Sequence, residues 1–81
     1  MLPKKLINKC LFHLNNTCRY INVNYFLHIR NDYISIDVYI YELDKKNIIK
    51  SLYKFVRDED SFTKFSTDVV DFINENKEFI K

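Results

Sequence analysis

The chain contains no glycine, alanine, glutamine or tryptophan, a single proline and only two cysteines. The missing glycine has chemical force. Phosphate-binding loops, dinucleotide fingerprints and nucleophile elbows all need glycine where backbone approaches a ligand or takes positive φ, so enzymes of those kinds are excluded. No apolar run approaches the roughly 18 residues of a membrane span, and Lys9 interrupts the N-terminal apolar stretch too early for a signal peptide. A cytoplasmic protein is the expectation, or a host-cytoplasmic one if a phage or virus encodes it. Cys10 and Cys18 agree with that. Eight residues along a helix separate them by about 12 Å, beyond disulfide reach.

What the chain does hold is bulk and charge. Of its 81 residues, 47% are hydrophobic and 30% charged, and seven Phe and six Tyr supply large core groups, so the chain should fold. A core of this size yields only a few kcal/mol of net stability, which makes a partner or a homodimer a live expectation. The net charge of +2 divides unevenly: residues 1–54 hold nine basic and four acidic groups, residues 55–81 four and seven. Ile, Lys, Asn, Tyr and Phe together make up 42 residues, a bias towards AT-rich codons that describes a genome and not a mechanism.

Hydrophobic spacing predicts the elements. Pro3 suits a first helical turn, and Ile7, Cys10, Leu11, Leu14 and Cys18 then recur at helical spacing, giving a helix over about 3–17 that Asn15-Asn16 would end. The period then shortens to two. Ile21, Val23, Tyr25, Leu27 and Ile29 alternate with polar and aromatic residues, Asn31-Asp32 forms a two-residue turn, and Ile34, Ile36, Val38 and Ile40 return. A hairpin over about 20–41 follows, with Ile29 facing Ile34, Leu27 facing Ile36, Tyr25 facing Val38 and Val23 facing Ile40. Its other side pairs Arg30 with Tyr33, His28 with Ser35, Phe26 with Asp37, Asn24 with Tyr39, and Asn22 with Tyr41.

Beyond the hairpin, Asp44 can cap a helix over about 45–57 with Ile48, Ile49, Leu52 and Val56 inside. Asp58-Glu59-Asp60-Ser61 then reads as a bend, and Ser66 or Thr67 as the cap of a last helix over about 67–80, with Val69, Phe72, Ile73 and Ile80 at helical spacing. A third short strand near Phe62–Phe65 is left open by the pattern. The expected fold is a small two-layer α+β single domain over 1–81, in the order α-β-β-α-α, with the antiparallel hairpin packed against helices.

No cofactor or metal is expected. Cys10-x-x-His13 is only a faint echo of a zinc motif, and both cysteines fall on the inward stripe of the first helix. Catalysis needs a nucleophile with a base, or two carboxylates in different environments, and nothing singles out such a group. His28 beside Ser35 is a pair in name only, so a non-enzymatic protein is expected. The candidate partner-binding residues are Tyr20, Phe26, His28, Arg30, Tyr33, Tyr39 and Tyr41, because aromatics with arginine are enriched where proteins meet. Either hairpin strand can also be an edge open to strand addition.

The expected partner is another protein, such as a host nuclease or nucleic-acid-processing complex, or a second copy of the chain. Size, want of catalytic groups and codon bias are similar in type, though in no motif, to those of small phage or mobile-element inhibitors of host machinery, anti-CRISPR proteins among them. Many such inhibitors mimic nucleic acid with a dense acidic surface, which this chain lacks, so steric blocking is the expected mode. Two alternatives stand beside it. One is a small nucleic-acid-binding protein using Lys4, Lys5, Lys9, Arg19, Arg30, Lys45, Lys46 and Lys50, although Asp37 sits in the middle of the aromatic face. The other is a structural subunit of a larger complex.

Overall fold

Alternating side chains make the strongest element of the chain. In the computed structural model, which describes residues 2–44 and 46–81, β1 (Val23–Ile29) and β2 (Ile34–Tyr41) pair antiparallel around the Asn31-Asp32 turn. Their register is the expected one, from Ile29 opposite Ile34 to Val23 opposite Ile40. The Arg30 amide donates to the Tyr33 carbonyl at 2.8 Å and closes the turn. Ile34, Ile36, Val38 and Ile40 are completely buried on one side of β2.

Ahead of the hairpin, α1 spans Lys4–Thr17 with Pro3 at its N-cap. Leu6, Cys10 and Leu14 are its buried stripe, while Ile7 and Leu11 are only half-buried. The helix does not end on a left-handed asparagine. Its C-cap is Cys18, at φ −104°, whose amide donates to the Leu14 carbonyl at 2.9 Å. The alternation also begins later than expected: Ile21 is largely exposed, and Asn22 turns into the core.

The expected helix over 45–57 is corrected. Residues Ile48–Val56 form a third strand, β3, antiparallel to β2, so the order is α-β-β-β-α and β2 is the central strand of a β1-β2-β3 sheet. Lys45, the first residue of that expected helix and one of the basic residues considered for nucleic acid, lies outside the described residues. Asp44 is a turn residue, not a helix cap: its carboxylate accepts the Lys46 amide at 3.0 Å, and the Glu42 amide donates to the Asn47 carbonyl at 2.9 Å. Two facts favour the strand. A two-stranded hairpin is marginal in water, and a third strand completes the ladder on β2. Moreover, Lys50 and Lys54, which fall on the packed side of β3 beside Leu52 and Val56, are accommodated there. Lys54 pairs with Asp68 of the last helix, and the Lys50 ammonium lies 6.0 Å from the Phe79 ring centre.

The last helix is corrected as well. It is α2, Glu59–Glu75, and starts well before Ser66 and Thr67, which lie inside it. The acidic run is its start and not a bend. The Asp58 carboxylate accepts the Ser61 amide at 2.8 Å and the Ser61 hydroxyl accepts the Asp58 amide at 3.1 Å, a reciprocal cap, while Glu59 and Asp60 suit the positive end of the helix. Phe62–Phe65 is therefore helical. Phe65, Val69, Phe72 and Ile73 turn inward, and after Asn76 a short 3₁₀ turn, Lys77–Phe79, replaces the expected continuation to residue 80.

The result is an α+β fold of two layers. Both helices lie on one side of the sheet, where Leu6, Cys10 and Leu14 of α1, the inward residues of β2 and Phe65, Val69 and Phe72 of α2 share one core. No described helix is long and apolar enough to cross a membrane.

Candidate interaction face of the sheet

Because successive side chains of a strand point to opposite faces, packing both helices on the even-numbered side of β2 leaves its odd-numbered side chains on the other. Cross-strand pairing then assembles the open face. Phe26 and Tyr53 flank Asp37, His28 and Phe55 flank Ser35, Asn24 and Ser51 flank Tyr39, and Ile48 stands beside Tyr41 after a bulge between Ile40 and Tyr41. The aromatic groups interlock: Phe26 meets Tyr39 edge-on with ring centres 5.7 Å apart, Tyr39 meets Tyr41 at 6.0 Å, and Tyr33 meets Phe55 edge-on at 6.4 Å. The Arg57 guanidinium lies 5.3 Å from the Phe55 ring centre.

These rings are wet. Tyr53 is 58% exposed, Phe55 46%, Phe26 44% and Tyr33 38%, and Ile48 beside them is 52% exposed. Isolated exposed apolar side chains need no explanation, but a contiguous group on one sheet face does.

Of the seven residues singled out in the sequence, Phe26, His28, Tyr33, Tyr39 and Tyr41 come together on this side of the sheet, and Arg30 sits exposed at its turn end. Tyr20 does not join them. It precedes β1 on the helix side, half-buried against the core, with the Lys77 ammonium 3.5 Å from its hydroxyl and 5.6 Å from its ring centre. Asn22, expected opposite Tyr41 on the polar-aromatic face, is buried instead. Tyr53, Phe55, Ile48 and Arg57 were not anticipated, because β3 was expected to be helical. The available signal was the two-residue spacing of Tyr53 and Phe55.

His13 and the two cysteines are spent on packing. His13 stands between the Phe62 and Phe65 rings, at 6.3 and 5.5 Å, with Nε2 3.2 Å from the Ser66 carbonyl, and burial lowers its pKa. Burial pushes the Cys10 thiol up to about 11 and the Cys18 thiol upward too, so neither is an activated nucleophile. Among the described residues no three His, Cys, Asp or Glu side chains group as metal ligands would. His28 and Ser35, although paired across the strands, share no side-chain hydrogen bond among the described residues. A shallow groove of about 770 Å³ between the helices is lined by Lys4, Lys9, Phe12, His13, Phe62 and Ser66, and it lies on the opposite side of the molecule from the open face.

Charge further defines the face. Lys4, Lys5 and Lys9 belong to α1 and Lys50 to the packed side of β3, so none adjoins the aromatic rings. Arg30 and Arg57 lie at one end, and Asp37 holds the centre. Comparison with known proteins gives no match to any family model, curated protein or solved structure.

Proposed function

We propose that this protein is a non-enzymatic protein-binding module that docks a partner protein against the open face of its sheet and acts by steric blocking, as a small phage- or mobile-element-encoded inhibitor of host machinery in the host cytoplasm would. One observation carries the proposal. In β3, Tyr53 and Phe55 face outward and stay exposed, while Lys54 and the exposed Lys50 share the helix side with Leu52 and Val56. An edge strand with no task beyond folding gains by the opposite arrangement, since each outward ring leaves apolar surface in water at roughly 25 cal/mol per Å². Outward rings become favourable only when something covers them.

Side-chain docking on the face is favoured over strand addition at the edges. On β1 the Asn24 side chain already accepts the Tyr25 amide at 2.9 Å, and on β3 the inward lysines discourage pairing with a further packed sheet. A protein is favoured over nucleic acid because Lys4, Lys5, Lys9 and Lys50 are remote from the rings, Arg30 and Arg57 stand at one end of the face, and Asp37 at its centre would repel phosphate.

The test begins with the solution mass by light scattering, where a monomer is expected; a dimer would assign the face to a second copy of the chain. The wild-type protein and a Phe26→Ser/Tyr53→Ser variant then serve as baits for host lysate, after nuclease treatment and with folding checked by circular dichroism. Proteins retained by the wild type and lost from the folded variant support the face as the dock. Retention by both baits, or loss of the captured material on nuclease treatment, overturns it.

A further inference from the structure

We infer that the partner places an arginine side chain on Asp37, held between Phe26, Tyr39 and Tyr53. The inference rests on the docking face proposed above and specifies what that face reads. Aspartate is among the residues least favoured in strands, yet Asp37 occupies the middle of the central strand, half-buried. Phe26 stands directly opposite it on one side and Tyr53 on the other, each with Cβ about 5 Å away as cross-strand neighbours are. Tyr39 is the next outward residue of the same strand and touches Phe26 edge-on.

Among the described residues this carboxylate has no ion pair and no side-chain hydrogen bond. The cations of the chain do not answer it. Lys54 is on the opposite side of the sheet, bound to Asp68; Arg57 lies over Phe55 and follows Val56, which pairs with Ile34, three residues and thus about 10 Å along the strand from Asp37.

Water satisfies Asp37 while the face is open. Once a partner covers the rings, that water is expelled, and a buried, unpaired carboxylate is strongly unfavourable. A partner with an apolar surface alone would meet that penalty, so complementarity requires a cation at this point. The rings specify which cation. A guanidinium is planar, can present two N–H groups to one carboxylate, and stacks on aromatic faces within about 6 Å, whereas an ammonium is a more strongly hydrated point charge. The same arrangement selects against phosphate-bearing partners, and it makes recognition depend on one charge inside an apolar surround.

The experiment is a titration of the ¹⁵N-labelled full chain, followed by amide chemical shifts, with N-acetyl-arginine amide, its neutral isostere N-acetyl-citrulline amide and N-acetyl-lysine amide, all at constant ionic strength. Arginine amide is expected to give saturable shifts centred on Phe26, Asp37, Tyr39 and Tyr53, in the tens-of-millimolar range suited to a single side chain. Citrulline and lysine amides should bind about threefold or more weaker. Asp37→Asn, nearly isosteric and at a half-exposed position, should erase the preference for arginine over citrulline. Equal shifts with citrulline, a preference for lysine, or shifts centred elsewhere would each overturn the assignment. Such a failure remains separable from failure of the docking proposal, because lysate capture that depends on Phe26 and Tyr53 would be untouched by it.

Discussion

Replacing Asn22 with alanine tests how the end of the chain is tied to the sheet. Asn22 is 2% exposed, the most deeply buried polar residue of the core, and its side chain joins three segments. Its Nδ2 donates to the carbonyls of Tyr41, at 2.8 Å, and Phe79, at 2.7 Å, while its Oδ1 accepts the Lys81 amide at 2.9 Å. Alanine removes all three bonds. Lys81 is exposed, so water can replace its partner, but the carbonyls of half-buried Tyr41 and Phe79 lose a donor where water enters less readily. At about 1 kcal/mol per net hydrogen bond, with a surcharge for a poorly solvated carbonyl, the expected loss is about 2–3 kcal/mol. For a domain whose whole stability is on the order of 4–12 kcal/mol this is a large fraction, equivalent to a fall in Tm of roughly 10–20 °C. Urea unfolding followed by circular dichroism gives the free energy, and amide exchange at Phe79 and Lys81 shows whether the terminal turn detaches first. Asn22→Asp should be worse than alanine, since it keeps the acceptor, loses both donors and buries a charge against two carbonyls. A loss below about 0.5 kcal/mol with unchanged exchange would refute the reasoning, because it would mean the three bonds contribute nothing beyond what water supplies.

Two further outcomes follow from the packing. With its pKa raised to about 11 and its side chain fully buried, Cys10 should react with a disulfide reagent at pH 8 on the order of a hundredfold more slowly in the native protein than in urea, and Cys18 should behave similarly; rapid native labelling of both would contradict the core assignment. The Asp68 carboxyl is held below its ordinary value of 3.8, chiefly by the hydrogen bond from Lys54, which outweighs the opposing effect of desolvation, with the charges of Lys54 and Lys64 adding to the lowering. A carboxylate with a depressed folded-state pKa stabilises the fold above its unfolded value, and that contribution disappears as pH falls through the folded one. Stability should therefore decline between pH 5 and pH 3, and less steeply in Lys54→Met. The decline should persist in part, because Asp58 is likewise lowered by its hydrogen bonds with Ser61. An identical pH slope in the variant would show that the Lys54–Asp68 pair is not formed in solution.

The hairpin was legible because Ile34, Ile36, Val38 and Ile40 alternate without exception and Asn31-Asp32 suits a two-residue turn, so register followed from counting. β3 was not, for a physical reason. Ile48, Ile49, Leu52 and Val56 satisfy helical spacing, while the strand alternative puts two lysines on the packed side, which no binary pattern anticipates. Only the positions of Asp68 and Phe79, known from the fold, make those lysines acceptable. The start of α2 was hidden differently. Asp58 and Ser61 have the spacing of a reciprocal cap, but the dense charge between them resembles a break. Four of the six aromatic rings of the face, those of Phe26, Tyr33, Tyr39 and Tyr41, were accessible from the hairpin alone. Tyr20 was misplaced by extending the alternation backward past Val23, and Tyr53 and Phe55 were lost with the strand that carries them.

The side chains of β2 serve the core and the open face by turns: Ile34, Ile36, Val38 and Ile40 inward, Asp37, Tyr39 and Tyr41 outward, with Ser35 on the open side but buried. For mutation this has an asymmetric consequence. Substitutions at the outward positions can alter what the surface recognises while the inward set is untouched, so new specificities are reachable one residue at a time. A single inserted or deleted residue within β2 exchanges the two sets beyond that point, burying Asp37 and the tyrosines and exposing the isoleucines. Lineages of this protein should accordingly vary freely in the identity of the outward residues and hardly at all in the length of the central strand.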